Sequence, residues 1–253
     1  MNIDQDALHG LMRSVGREQL VPRFARLAGS LKADGSLLTE ADLAAQQALA
    51  KALLRLYPGS VVLGEEMSAS EQAHGLGAGR PLWCLDPLDG TRNFSAGIPY
   101  FSISIALLEG GRVTLAAVYD PLRDELFHAD RSSEALLNGA ALQPRTEAYE
   151  LQQSIALVDF KRLPPGLATR LVSAPPYQSQ RSFGSVALDW CWLAGRPAGA
   201  GVSAWSGALM GLCRRAVYLS AQWRPLLHIR RRARFSPSAG GAFLCGGGHA
   251  GAV

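Results

Sequence analysis

The chain has 253 residues and a formal net charge of +4, and 48% of its residues are hydrophobic and 18% charged. These values predict a soluble globular protein of one large domain or two modest ones. No apolar run reaches the roughly 18–20 residues that span a bilayer, and the four cysteines, which have no CxxC spacing, indicate neither a zinc site nor a disulfide framework. Because the acidic N-terminus lacks a signal-peptide core, we expect a cytoplasmic protein without membrane contacts.

Charge is distributed unevenly along the chain. The last acidic residue is Asp189, and the residues after it contain eight arginines and no lysine. A stretch of that length normally mixes both signs of charge. Two interpretations are open: a basic tail that binds nucleic acid, or a tail that is not a selected protein sequence.

Two helices are predicted near the N-terminus. Apolar residues recur at helical spacing from about Asp4 to Leu27. After a polar turn at 32–36, a second helix is predicted from Thr39 to about Tyr57. Thr39 is a natural N-cap and Asp42 occupies the third position, as in a capping box. Asp42 by itself is explained by capping alone.

Carboxylates follow two predicted buried strands. The first strand, 61–63, ends in Gly64-Glu65-Glu66. Strand ends next to loops often carry catalytic groups in α/β sheets, although a solvated loop is an alternative explanation here.

The second strand opens the stretch 83–94, which reads Trp-Cys-Leu-Asp-Pro-Leu-Asp-Gly-Thr-Arg-Asn-Phe. Asp86 and Asp89 flank a rigid Pro87, and Gly90 follows. Two acids on a stiff turn suit Mg²⁺, which prefers oxygen ligands. A polar turn is the competing interpretation, since these residue types are common in turns.

The remainder of the chain predicts an α+β fold. Strands with a hairpin at 109–112 are predicted from Ile98 to Phe127, and a further hairpin at 137–139. A strand at 154–158 and helices at 163–172 and 184–193 follow. Adjacent antiparallel strands after helices favour α+β over a pure βαβ repeat. The amides at the start of the last helix could hold a phosphate or be merely capped.

Together these pieces resemble the inositol monophosphatase family of Mg²⁺-dependent, lithium-sensitive phosphatases. The resemblance covers about residues 5 to 196. It is carried by Lys32, the 39–42 segment, Gly64-Glu65-Glu66, the 86–94 stretch, the 118–121 segment and Gly184-Ser185. It implies a layered α-β-α-β-α sandwich with metals between the two halves.

The resemblance also implies roles for individual residues. A first metal would be bound by Glu65, Asp86 and the carbonyl of Leu88, and a second metal by Asp86 and Asp89. Thr91 and Asp42 would orient the attacking water, and Glu65 would help to activate it. The substrate would be contacted by Leu88, Asp89, Gly90, Thr91, Gly184, Ser185 and Val186. Such a site needs clustered acids and no covalent nucleophile, and no Ser/His/Asp or Cys/His set is evident in its place.

The chain departs from the family pattern in its last quarter. The family has a further metal-binding Asp, in a Trp-Asp-x-Ala-Ala-Gly motif, where this chain has no acid in the region 203–216. Codons compatible with Met210–Arg215, shifted by one nucleotide, can encode Trp-Asp-Tyr-Ala-Ala-Gly. We therefore hypothesise a frameshift near 196–199, which would also explain the arginine-rich tail. The alternative is a divergent tail.

These inferences give one expected function with alternatives. We expect a Mg²⁺-dependent phosphomonoesterase that hydrolyses a small phosphorylated metabolite such as inositol monophosphate through a metal-activated water. The alternatives are a 3′(2′),5′-bisphosphate nucleotidase, a fructose-1,6-bisphosphatase-like enzyme, or a family member impaired by the missing acid. No specific nucleic-acid partner is expected, and a homodimer is a candidate assembly.

The expected organisation has three parts. Residues 1–148 form an N-terminal α+β half that binds metal, and residues 149–197 begin a C-terminal α/β half. Residues 198–253 form an atypical tail that is out of frame.

Overall fold

The fold was analysed in a computed structural model of the full chain. The structure describes residues 3–26, 30–31, 37–65, 67, 70, 79–131, 134–142, 151–153, 155–195, 200–204 and 242–245. None of the helices in these ranges is long and apolar enough to cross a membrane.

Five α-helices lie in the described residues. Three are in the first half of the chain: α1 (Gln5–Val15), α2 (Glu40–Leu56) and the short α3 (Thr91–Ser95). Two follow later: α4 (Pro165–Ser173) and α5 (Val186–Gly195).

The larger sheet has seven strands within the described residues. They follow a two-stranded ribbon of β1 (Ser30–Leu31) and β2 (Leu37–Leu38). In spatial and chain order they are β3 (Val61–Gly64), β4 (Leu82–Asp89), β5 (Ser102–Glu109), β6 (Arg112–Asp120), β7 (Glu125–Asp130), β8 (Leu136–Leu137) and β9 (Ala140–Ala141). Only β3 and β4 pair in parallel; every later neighbour is antiparallel.

A second sheet contains four described strands. They are β10 (Ile155–Val158), β11 (Ser179–Arg181), β12 (Ala200–Ala204) and β13 (Ala242–Cys245). Their spatial order is β11-β10-β12-β13. β10 is parallel to β11 and β12, whereas β12 and β13 are antiparallel.

The larger sheet separates two apolar layers because alternate residues of its strands face opposite sides. One face packs against α1 and α2, and the residues that it buries there include Leu49, Trp83 and Ile105. The other face contributes Val118 and Phe127, which pack with Leu188 and Cys191 of α5. The observed layers agree with the predicted α+β class.

The N-terminal helix is shorter than the predicted span of 4–27. Regular α-helix ends at Val15 and continues as a π turn over Gly16–Leu20 and a 3₁₀ turn over Val21–Arg23. Gly16 packs so closely that a Cβ there would lie 2.7 Å from the Tyr119 ring. Pro22 has no backbone N–H to continue the α-helical pattern. The chain thus leaves the regular α-helix at the glycine that packs against the Tyr119 ring of β6.

Most other predicted elements are confirmed with small shifts of their ends. α2 begins after Thr39, and the 109–112 and 137–139 hairpins are present. The main difference lies in β4, because the strand continues through Asp89 where the sequence predicted a stiff turn that carries both acids. Lys32, Glu66, most of the loop 68–80, and Trp205–Ala216 with the arginine run at 230–234 lie outside the described residues.

Helix α5 is attached to the segment before β5 by a partly buried polar contact. The Tyr100 hydroxyl donates a hydrogen bond of 2.9 Å to Asp189 Oδ1. The Tyr100 ring packs against Trp192 of α5, at 5.1 Å between centroids. Burial raises the pKa of Asp189, the Tyr100 hydrogen bond lowers it and the nearby Asp89 carboxylate raises it, so that the pKa lies at about 7. The folded state therefore favours the protonated form of Asp189.

The substitution Asp189→Asn should make folding stability less dependent on pH. A carboxyl group whose pKa is raised in the folded state leaves the unfolding free energy unchanged below its ordinary pKa, near 3.8. As pH rises from there to about 7, the group lowers the unfolding free energy progressively. The amide oxygen of the substituted side chain would still accept the Tyr100 hydrogen bond. We expect the variant to exceed the parent chain in unfolding free energy at pH 8 by roughly 2–4 kcal/mol, with almost no gain at pH 4.

Urea unfolding followed by tryptophan fluorescence at both pH values measures this difference. The exposed substitution Asp6→Asn serves as a charge-matched control. An equal gain in unfolding free energy at pH 4 and pH 8 would contradict a raised pKa of Asp189 in the folded state.

Candidate active site

An extra residue in β4 places two acids on the same face of the sheet. Asp86 pairs with Ser104 and Asp89 with Ser102, so β4 advances three residues while β5 advances two. Residues three apart in a regular strand face opposite sides, and one additional residue reverses this. Leu85 and Leu88 accordingly belong to the same apolar cluster, which leaves both carboxylates on the opposite face. Asp86 is 1% exposed and Asp89 3% exposed.

Glu65 lies directly after the neighbouring strand. β3 and β4 are parallel, with Gly64 opposite Leu85, and the Glu65 amide donates to the Leu85 carbonyl at 3.1 Å. The backbone of Glu65 thus lies beside the point where β4 reaches Asp86. The side chain of Glu65 is partly buried.

The turn after β4 places Thr91 over Asp42. Gly90 has a φ of +100°, which glycine adopts without strain, and α3 starts immediately afterwards. The Thr91 hydroxyl lies 3.2 Å from Asp42 Oδ1 and 3.0 Å from the Leu88 carbonyl oxygen. Since a hydroxyl carries one hydrogen, it donates to one of these acceptors at a time. The structure therefore brings together the predicted residues Asp42, Leu88 and Thr91.

Asp42 is held at the start of α2 by a complete capping box. Its Oδ2 accepts hydrogen bonds from the Thr39 amide, at 2.8 Å, and from the Thr39 hydroxyl, at 2.5 Å. In return the Asp42 amide donates to the Thr39 hydroxyl. Burial raises the pKa of Asp42, the Thr39 and Thr91 hydrogen bonds lower it, and the Asp86 carboxylate raises it. Asp42 both caps the helix and faces Thr91.

Asp89 has a second set of contacts at the start of α5. Its Oδ2 accepts hydrogen bonds from the Ser185 hydroxyl, at 2.8 Å, and from the Ala187 amide, at 2.7 Å. Ser185 is fully buried, and its hydroxyl also lies 3.3 Å from that of Ser102. Three of the seven positions expected to contact substrate lie here, and of these Gly184 is exposed while Ser185 and Val186 are buried.

Two polar residues near this site had no role in the sequence-based prediction. Asn93 donates to the carbonyls of Tyr100 and Phe183, and Ser102 approaches Ser185. Asn93 belongs to the 83–94 stretch, so its neighbours in sequence marked it as a candidate. Ser102 alternates with apolar residues in a strand, and that pattern carries no indication of a contact with α5.

The oxygen donors of the site fit a hard divalent cation. Among the described residues, no three His, Cys, Asp or Glu side chains form a ready-made metal cluster. The available donors are nevertheless carboxylates and one carbonyl, the ligand types that Mg²⁺ prefers. Asp86 raises the pKa of Asp42, which reflects repulsion between nearby buried anions. A cation bound by Asp86 would reduce this repulsion.

Comparisons with known proteins identify the family of the chain. A family model described as the inositol monophosphatase family matches residues 10–207. The chain is 34% identical to the Nus factor SuhB of Pasteurella multocida over 71% of this chain and 68% of that protein. Matches to other curated relatives span between 38% and 62% of those relatives' own lengths.

Solved structures share the fold. An inositol monophosphatase (IMPase) of Thermotoga maritima is 29% identical, with a TM-score of 0.63 over 78% of this chain and 75% of that one. An IMPase/NADP phosphatase complexed with Mg²⁺ and phosphate has a TM-score of 0.71 at 21% identity, over 85% of this chain and 80% of that one, which shows a likeness of fold. On the family match, which covers more than half of its length, this chain belongs to the inositol monophosphatase family.

Proposed function

We propose that this chain is a Mg²⁺-dependent phosphomonoesterase that acts on a small phosphorylated metabolite such as inositol monophosphate. The observation that carries the proposal is the contact of the Thr91 hydroxyl with Asp42 and with the Leu88 carbonyl, beside two buried acids on one face of the sheet. The family supports a phosphatase, and the fold neighbour with Mg²⁺ and phosphate supports the choice of metal.

A first metal would be held by Glu65, Asp86 and the Leu88 carbonyl, and a second metal by Asp86 and Asp89. Bound there, Mg²⁺ would neutralise the phosphate charge and lower the pKa of a coordinated water. Gly90, Thr91 and the residues 184–186 would border the phosphate ester. Because the Asp89 carboxylate also holds Ser185 and Ala187, it would link the metal to this border.

The chain's own groups would orient the water. When the Thr91 hydroxyl donates its hydrogen to Asp42 Oδ1, its oxygen lone pairs can accept a hydrogen bond from the attacking water. The capping box prevents Asp42 from rotating away. Glu65 would accept the proton that the water loses as it attacks phosphorus.

The alternative substrates differ in the group attached to phosphate. A bisphosphate nucleotide and fructose 1,6-bisphosphate are the main competitors of inositol monophosphate. Release of inorganic phosphate from a panel of these three esters with Mg²⁺ tests the proposal. Failure to release phosphate from any of them would favour the impaired family member.

A role in common with the relatives named Nus factor SuhB is a second candidate, since several curated matches carry that name. A role shared with those relatives would not require the carboxylates of Asp86 and Asp89. A variant that lacks the Asp86 carboxylate would then keep this shared role and lose any release of phosphate.

The substitution Asp86→Asn should weaken Mg²⁺ binding by at least about 100-fold, because it removes a charged donor that both metals would share. Isothermal titration with Mg²⁺ alone measures this without relying on turnover. The exposed Glu134→Gln is the control for loss of one negative charge. Unchanged Mg²⁺ affinity in Asp86→Asn would contradict the assigned metal site.

Substitutions at Thr91 should separate catalysis from metal binding. Thr91→Val loses the hydroxyl and should lower kcat by about 100-fold, because a misplaced attacking group typically costs a rate factor of that size. Thr91→Ser keeps the hydroxyl and should retain most of the rate. Mg²⁺ affinity should change little in either variant, and equal losses of kcat in the two variants would argue against the water-orienting role.

Restoring the hypothesised reading frame should strengthen Mg²⁺ binding. We propose that the coding DNA, read one nucleotide later after about codon 196, encodes Trp-Asp-Tyr-Ala-Ala-Gly in place of the region around 210–215. The added acid would complete the second metal site, so the restored chain should bind Mg²⁺ more tightly and hydrolyse ester faster than this one. Absence of that motif from the shifted frame would refute the hypothesis.

A further inference from the structure

Residues 183–187, here called the α5 entry segment, are held by side chains from the other half of the chain. Asn93 Nδ2 donates to the Phe183 carbonyl at 2.6 Å and to the Tyr100 carbonyl at 2.7 Å. Asp89 Oδ2 accepts from Ser185 and Ala187. Asp89, at the end of β4, and Asn93, in α3, therefore both contact the entry segment.

The orientation of the Asn93 amide follows from its partners. Both partners are carbonyl oxygens, which only accept hydrogen bonds, so the amide nitrogen must face them. The NH₂ group has two hydrogens and satisfies both carbonyls at once. An ionised carboxylate or an apolar side chain of the same size could satisfy neither.

The backbone of the entry segment approaches this amide closely. Gly184 has a φ of +91°, and a Cβ at Gly184 would lie 3.0 Å from both Nδ2 and Oδ1 of Asn93. The absence of a side chain at Gly184 therefore allows Asn93 to reach the Phe183 carbonyl. The Phe183 ring packs against Tyr100, 5.1 Å between centroids, so the second carbonyl partner also belongs to this contact.

We infer that Asn93 is a positioning residue that fixes the α5 entry segment relative to the acids of β4. This inference rests on the proposed function, in which positions 184–186 border the phosphate ester. Asn93 touches neither the ester nor the metal in this assignment. Asn93 sets the distance between the acids of β4 and the residues 184–186 that would border the ester. A misplacement of about 1 Å between such groups can lower the rate by about 100-fold.

Asp89 and Asn93 contribute differently to this arrangement. Asp89 anchors the segment through a carboxylate that the proposed metal would share, whereas Asn93 anchors it through a neutral amide. Loss of Asn93 should therefore loosen the segment and weaken ester binding while leaving Mg²⁺ binding in place. Loss of Asp89 would affect both.

Two substitutions in the full chain test the inference. Asn93→Asp keeps the size but replaces the NH₂ donors by a carboxylate facing two carbonyl oxygens. Asn93→Leu removes the donors without adding charge. Asn138→Asp is the matched control, because Asn138 Nδ2 also donates to a backbone carbonyl, that of Asp124, at 2.8 Å, in the hairpin between β8 and β9.

Hydrogen exchange of the amides in 183–187 is the first measurement. Loss of two hydrogen bonds should speed this exchange by about tenfold or more in both Asn93 variants. The amides of β6 should stay within about twofold of the parent chain. The Asn138 control should leave the entry segment unchanged. Exchange in 183–187 within twofold of the parent, or an equal acceleration of β6, would overturn the inference.

Binding measurements are the second readout. Mg²⁺ affinity should stay within about twofold of the parent chain, whereas the KM for the ester, or the Kd for inorganic phosphate with Mg²⁺, should rise about fivefold or more. A parallel loss of Mg²⁺ affinity would show that Asn93 supports the metal site instead, and would overturn the inference. If the parent chain hydrolyses no ester, the proposed function fails, while the exchange and phosphate-binding results still decide the role of Asn93.

Discussion

The extra residue in β4 is the constraint on which the candidate site depends. Without it, Asp86 and Asp89 would face opposite sides of the sheet, and one of them would enter the apolar layer beneath α1 and α2. With it, Leu85 and Leu88 both pack in that layer and both acids emerge on the other side. Pro87 occupies the interrupted part of the ladder, where the absence of an N–H is tolerated.

Hydrogen bonds at the starts of two helices lower the free-energy cost of burying two of the acids. A carboxylate in a dry environment is costly unless its oxygens accept hydrogen bonds. Asp42 accepts them from Thr39 at the start of α2, and Asp89 accepts them from Ser185 and Ala187 at the start of α5. Amides at helix starts favour negative charge. The two helices thus position the acids before any ligand arrives.

The sequence allowed prediction of what is local. Thr39 and Asp42 have the spacing of a capping box, and Glu65, placed after an apolar segment, indicated where β3 would end. The extra residue in β4 was not predictable, because it depends on pairing with Ser102 and Ser104 of another strand.

Contacts between distant segments were equally hidden. Nothing in the sequence near Asp89 shows that it would cap a helix nearly a hundred positions later, and nothing near Gly16 shows that it would pack against the Tyr119 ring. Such features arise only when elements far apart in the chain pack together.

The separation between Asp89 and its partners has a consequence for synthesis on the ribosome. Ser185 lies 96 positions after Asp89, and Ala187 lies 98 positions after it. A nascent chain can form α2 and the strands up to β9 while Asp89 still lacks the groups that hold its Oδ2. Its site is therefore unfinished until the start of α5 has left the exit tunnel, so an incomplete translation product carries the acids without their final arrangement.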